Sequence, residues 1–305
     1  MIIQQLELTE PPTAVLRMSG SLQAAPQLSL SVRTRMAFNN VYCVTPRQLR
    51  PSQGAQIDEL MRVLGRELPL GYREYLTTFG WGRMCEWLWV DKPEHVRDNL
   101  PEEMPLRRRL WVEQWYTNEL PWLNPGPLSA NDLAEAVRFG SSQEGDYFVS
   151  CPRHGNAIFM IPRHGSEIRL VEHGFFGVPE LSHQVMSHDF PFFETWDRFN
   201  RWNREFDVSP DRGLIGLIAT TKSHWGAEEF KQSRASLEDH PHLFVRSIGG
   251  HFTLYPEFKP NGLLKSLRVG IWYDQEAEPD VATFVEAVAV PGTASRPWHA
   301  PSEDW

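Results

Sequence analysis

The sequence has little cysteine, no long apolar run and no surplus of positive charge. Each shortage excludes a class of protein. Only Cys43, Cys85 and Cys151 occur among 305 residues, far apart and without a CxxC pair. A disulfide framework or a cysteine-based zinc module is therefore not expected, and the thiols suit buried positions in a reducing compartment. No stretch of about 18 apolar residues is present, so no membrane span is expected. The first residues lack a basic segment leading into an apolar one, so no signal peptide is expected either, and the expected location is cytoplasmic. Acidic side chains outnumber basic ones 39 to 30, a net charge of −9. Nucleic-acid binders need basic surface to displace counterions from phosphate, and this chain does not supply it.

The short motifs of catalysis are missing as well. There is no HExxH, no GxSxG, no GxGxxG and no phosphate loop. Gly80-Trp81-Gly82 and Gly174-Phe175-Phe176-Gly177 read as turns. Asp274, Glu276, Glu278 and Asp280 lack the spacing of a calcium loop and read as a solvated loop, or as an acidic lure for a basic partner. Cys151 and His154 share a turn, but a reactive thiol also needs a depressed pKa and an open site. His154, His164, His173 and His183 recur every nine or ten residues. In a β-meander, consecutive turns lie at opposite ends of the sheet, about 20 Å apart for six residues. No metal, cofactor or catalytic residue is expected from these patterns.

What is present is an ordinary globular composition, 41% hydrophobic and 23% charged, with an unusual 12 tryptophans. The pattern is of α+β type. Residues 52–66 carry Ile57, Leu60, Met61 and Leu64 at helical spacing. A second helix begins at Pro69, with Tyr72, Tyr75, Leu76 and Phe79 on its apolar side. Residues 84–90 alternate as a strand, and residues 93–118 form an interrupted helical stretch. Pro-Arg-His-Gly occurs twice, at Pro152–Gly155 and Pro162–Gly165. It separates strand-like runs at 146–151, 156–161 and 167–173, which reads as a meander. Residues 192–206 read as an aromatic helix. Further on, Leu214–Ala219 reads as a strand and Gly226–Glu238 as a helix. Strands are expected at 242–255 and 264–273, and a helix at 280–289.

Four parts are expected: a β-rich N-terminal extension over residues 1–45, a domain over 46–207, a smaller α+β unit over 208–290, and a disordered tail over 291–305.

Three motifs in the middle part resemble the SMI1/KNR4 (SUKH) superfamily. The first is Leu68-Pro69, Tyr72, Tyr75-Leu76 and Gly80, with Tyr75 in place of the usual Phe. The second is Phe139-Gly140, Gly145-Asp146 and Tyr147. The third is Ser187-His188-Asp189-Phe190-Pro191-Phe192-Phe193, which in the family leads an aromatic helix. They follow in the family's order across residues 50–205, about half of the chain. The resemblance implies a central antiparallel sheet with helices packed on it. It also implies a non-catalytic role: an immunity protein that blocks a cognate toxin, often a nuclease, or a regulatory scaffold acting through protein contacts. An acidic inhibitor with exposed tryptophans would suit a basic toxin. Trp81, Trp111, Trp115 and Trp122, beside Glu102, Glu103 and Glu113, form the expected contact patch.

Overall fold

A computed structural model describes residues 38–45, 49–100, 127–163, 167–195, 201–228, 230–234 and 241–299. The fold is mixed α+β and is built on two sheets. The first contains β1 (Tyr42–Cys43), β2 (Gly82–Met84), β3 (Leu88–Val90), β4 (Val137–Ser142), β5 (Tyr147–Ser150), β6 (Phe159–Ile161), β7 (Arg169–Leu170) and β8 (Phe192–Thr195). Its order is β1-β8-β2-β3-β4-β5-β6-β7. All neighbours run antiparallel except β1 and β8, which are parallel.

Helices α1 (Gly54–Leu64), α2 (Tyr72–Thr78), α3 (Pro93–Asp98) and α5 (Val178–Val185) contribute to the main core of this sheet. The short α4 (Ala130–Ala134) lies in sequence order between α3 and α5. Leu133 of α4 packs in a smaller cluster with Val149, Phe159, Ile161 and Ile168.

The motif residues have structural roles in this half. Tyr72 stacks edge-on against Phe139 at 4.9 Å, and its hydroxyl donates to the Asp91 carbonyl at 2.7 Å. Gly80 follows α2 with φ of +74°, and a Cβ there would collide with the Arg50 carbonyl. Only glycine satisfies both conditions without strain. Asp146 accepts from the Ser142 hydroxyl and from the backbone amide of Arg163, which ties the β4–β5 turn to the end of β6. The expected meander is present as β5, β6 and β7. His164 and the second Pro-Arg-His-Gly glycine lie outside the described residues.

The second sheet contains β9 (Arg201–Val208), β10 (Phe230–Arg234), β11 (Pro241–Val245), β12 (Gly250–Phe258), β13 (Leu264–Asp274) and β14 (Trp298–His299), in the order β10-β11-β12-β13-β9-β14. One face is covered by α6 (Gly213–Trp225) and α7 (Glu278–Val288). Leu217, Phe284 and Val285 pack there against Leu243, Phe252, Val269 and Ile271.

Several expectations need correction. Residues 192–206 form no continuous helix, because β8 and β9 occupy 192–195 and 201–208. Strand β8 is covered on both sides. Phe193 stacks on Phe79 at 4.7 Å under the helices, while Phe192 meets Phe244 of the second sheet at 4.3 Å. A strand buried on both faces loses polar alternation, so its apolar spacing imitates a helix. Leu214–Ala219 is helical, not a strand, and belongs to α6. The predicted helix at Gly226–Glu238 instead contains the end of α6, where Gly226 has φ of +92°, followed by β10. A short apolar run does not distinguish the two states.

The expected boundary at 207 falls within β9, which pairs with β13 and β14 of the second sheet. The expected disordered tail is ordered as far as residue 299. Val290 and Ser295 donate to the carbonyls of Asp207 and Glu205, each at 2.8 Å, and β14 pairs with β9. The segment satisfies the open edge of β9. Residues 1–37 and 300–305 lie outside the described residues.

The stretch Asp274 to Asp280 is no free acidic loop. Glu278 pairs with Arg204 and accepts from the Tyr273 hydroxyl. Asp280 accepts from the Trp225 indole and contacts His224 at 2.9 Å. Glu278 and Asp280 also lie in the first turn of α7, where negative charge is favourable.

Two predictions follow from packing and capping. Phe244 is fully buried where the sheets meet, so Phe244→Ala is expected to cost roughly 3–5 kcal/mol of stability in chemical denaturation. Ser129 caps α4: its hydroxyl and backbone amide both bond the Asp132 carboxylate, which they hold down at about 2. Because this folded value lies below the unfolded one, 3.8, the contribution is full above that value and is lost as pH falls through about 2. Ser129→Ala should therefore cost about 1 kcal/mol at neutral pH and flatten the acid limb of the stability curve. Urea melts across the acid range would test both.

Candidate functional site

The two sheets meet through side chains that alternate along β11 and β12. In β11, Leu243 and Val245 point into the helix-covered core, while Phe244 belongs to the core of the first sheet. His242 shares the face of Phe244 by strand period. In β12, Phe252 and Leu254 take the helix side and His251 the other. His242 lies opposite Thr253, and His251 lies opposite Phe244. The two imidazoles are thus diagonal neighbours on one face, with ring centres 5.7 Å apart. Phe244 stands among Tyr42, Phe190 and Phe192. Arg246 reinforces the contact. Its guanidinium lies 4.2 Å over the Tyr42 ring and donates to the Cys43 carbonyl at 3.2 Å.

The first sheet answers with two carboxylates. Glu86 sits on the turn between β2 and β3. Cys85 and Glu86 both adopt left-handed backbone, with φ of 52° and 57°, and Trp87 donates to the Met84 carbonyl to close the turn. This conformation normally favours Asn-Gly, and each non-glycine residue in it costs about 1–2 kcal/mol. Tertiary contacts hold it. The Cys85 amide donates to the Phe192 carbonyl at 2.8 Å, and the Cys85 thiol accepts from the Phe192 amide at 3.4 Å. Burial pushes that thiol up to about 12, which leaves it unreactive.

From this turn Glu86 reaches both histidines. Its Oε1 lies 3.0 Å from His251 Nε2, and its Oε2 lies 3.7 Å from His242 Nδ1. Glu194 of β8 approaches from the other side, with Oε2 3.7 Å from His251 Nδ1 and its other oxygen paired with Arg83. Gly82 permits this arrangement, since a Cβ there would collide with the Glu194 carbonyl and the Phe193 ring.

The cluster is largely withdrawn from water. Side-chain exposure is 0% for Glu194, 3% for His251, 9% for His242 and 18% for Glu86. Burial alone opposes ionisation of Glu86 more than any other single effect. His251, His242 and Arg83 together outweigh it and hold the carboxyl well below its usual range. His188 lies at the rim, 5.7 Å from His242 between ring centres, and burial lowers it to about 4. At neutral pH it is therefore an uncharged ring against Phe192. Glu86, His242 and His251 each offer a donor atom, and the three atoms lie within 4.8 Å of one another.

These are not the residues the sequence patterns singled out. Of the expected contact patch, Trp81 is half-buried, with the Lys92 ammonium 4.5 Å over its ring and His95 edge-on at 5.7 Å. Glu102, Glu103, Trp111, Glu113, Trp115 and Trp122 lie outside the described residues. His154 faces Asp132 at 3.4 Å and His183 faces Glu180 at 2.9 Å, each in its own local pair. A usable signal was present around His242 and His251. In strands whose alternate residues form one core, an imidazole that shares a face with Phe244 marks a second buried face.

Comparison of the chain with family models, with curated proteins and with solved structures gave no match. Among the described residues, no helix is long and apolar enough to cross a membrane.

Substitutions at residue 86 would separate the turn from the charge. Glu86→Gln is expected to destabilise the protein by roughly 3 kcal/mol, as for one partner removed from a buried ion pair. Glu86→Gly should be about 1–2 kcal/mol more stable than Glu86→Ala, because glycine accepts the left-handed backbone. Equal stability of those two variants in urea melts would show that the turn carries no strain.

Proposed function

We propose that the chain is a non-catalytic binding protein that neutralises a cognate toxin by covering its active surface, the role that the SMI1/KNR4 resemblance implies. The observation that supports this reading is the inward use of the ionisable cluster. Glu86, Glu194, Arg83, His242 and His251 face one another across the seam between the sheets, where their charges join two halves of one molecule. The chain as a whole carries a surplus of acidic side chains, 39 against 30. Negative surface speeds encounter with a basic partner. A nuclease toxin offers basic surface where it grips phosphate. Trp81, half-buried and braced by Lys92, supplies an aromatic anchor of the kind that dominates interface energy. A cytoplasmic location and a role that needs no catalytic cofactor belong to the same reading.

The direct test is rescue. Co-expressed with the toxin encoded beside its own gene, the chain should restore growth. Cells that die equally fast with and without it would reject the reading. With the purified pair, the association rate should fall as salt rises from about 50 mM to about 0.5 M. Trp81→Ala should weaken binding at least about tenfold, or ~1.4 kcal/mol, with an unchanged thermal midpoint. Capture of several partners without any toxin among them would favour the regulatory scaffold instead.

A further inference from the structure

We propose that Glu86, His242 and His251 form a divalent transition-metal site, suited first to zinc, that fastens one sheet to the other. This inference does not depend on the proposed function. Three features of the geometry support it.

The first is convergence. The donor atoms come from three separate elements, yet all lie within 4.8 Å of one another. Glu86 Oε1 is 3.0 Å from His251 Nε2, and Oε2 is 3.7 Å from His242 Nδ1. Zinc binds nitrogen and oxygen at about 2.0–2.1 Å, which places two donors of a tetrahedral site about 3.3 Å apart. The two separations, each to a different oxygen of the Glu86 carboxylate, lie on either side of that value.

The second is donor chemistry. Two imidazoles and one carboxylate suit zinc and its neighbours in the transition series. Calcium and magnesium favour oxygen donors.

The third is support behind the donors. The other nitrogen of His251 faces the Glu194 carboxylate at 3.7 Å, and Glu194 is itself held by Arg83. At that distance the carboxylate acts on the imidazole through its charge rather than a hydrogen bond, and once a metal takes Nε2 it favours the ring proton on Nδ1. Because Glu86 belongs to one sheet and both histidines to the other, metal binding and closure of the seam are linked.

The test uses the full chain without an affinity tag. After dialysis against a chelator, zinc chloride and cobalt(II) chloride are added separately. Metal content, the cobalt visible spectrum and the thermal midpoint are then measured. The expected result is about one zinc per chain, a cobalt absorption band that zinc displaces, and a higher thermal midpoint with zinc. His242→Ala should lower zinc affinity by more than about 100-fold, and Glu194→Gln by about 10–100-fold with stoichiometry kept. Glu86→Gln should abolish the zinc-dependent rise in midpoint. Two results would overturn the proposal: wild-type protein that retains no zinc and gives no cobalt band, or zinc uptake by His242→Ala equal to that of wild type. Should the variants fail to fold, the cobalt and zinc titrations of wild-type protein decide the question by themselves.

Discussion

The architecture depends on the insertion of β11 and β12 side chains into the face of the first sheet. Phe244 enters that sheet's own aromatic core, so the two sheets share a hydrophobic centre as well as a boundary. The charged cluster sits beside this plug. Its strength follows from the same burial, because charges removed from water interact more strongly and tolerate less error in their pairing. Each strand therefore serves two cores at once. Leu243 and Val245 meet the helices while Phe244 meets the other sheet. A slip of one residue would exchange these faces and spoil both cores, so the register is strongly specified.

The strained turn at Cys85 and Glu86 has a place in this scheme. Two left-handed residues that are not glycine are unfavourable locally, and the wider structure holds them through Phe192 and the histidines. The turn exchanges local stability for a carboxylate aimed across the seam. Departures of this kind from local preference concentrate where a structure does something beyond folding.

Much of the fold was legible in the sequence, and the parts that were not have a common cause. Helices α1, α2 and α7 each bury one side, so the periodicity of Ile57 and Leu60, or of Val281, Phe284 and Val285, reports their type directly, and the meander β5–β7 is legible from the turn residues that bound its strands. Strand β8 and helix α6 carry no such signal. Phe192 and Phe193 are buried on opposite faces, and the Leu214–Ile218 run is too short to reveal its period. The site was hidden for a different reason. Glu86 and Glu194 are far in sequence from His242 and His251, and no spacing rule connects them. His154, His164, His173 and His183 stand out by their regular spacing, whereas those that converge are linked only by the pairing of β11 with β12 and the docking of two sheets.

The separation between the seam's two sides also governs the order of events during synthesis. Glu86 leaves the ribosome about 165 residues before its partner His251. At roughly 5–20 residues per second, that is a wait of about 8–30 s. Once β8 has emerged, Phe192 and Tyr42 wait about 50 residues more, or about 3–10 s, for the Phe244 ring that covers them, and the left-handed turn waits until His251 for its last contact. Contacts of such long range form slowly even in the finished chain. The unfinished sheet is therefore a half-built surface on which chaperones, or other copies of the chain, compete with the molecule's own β11.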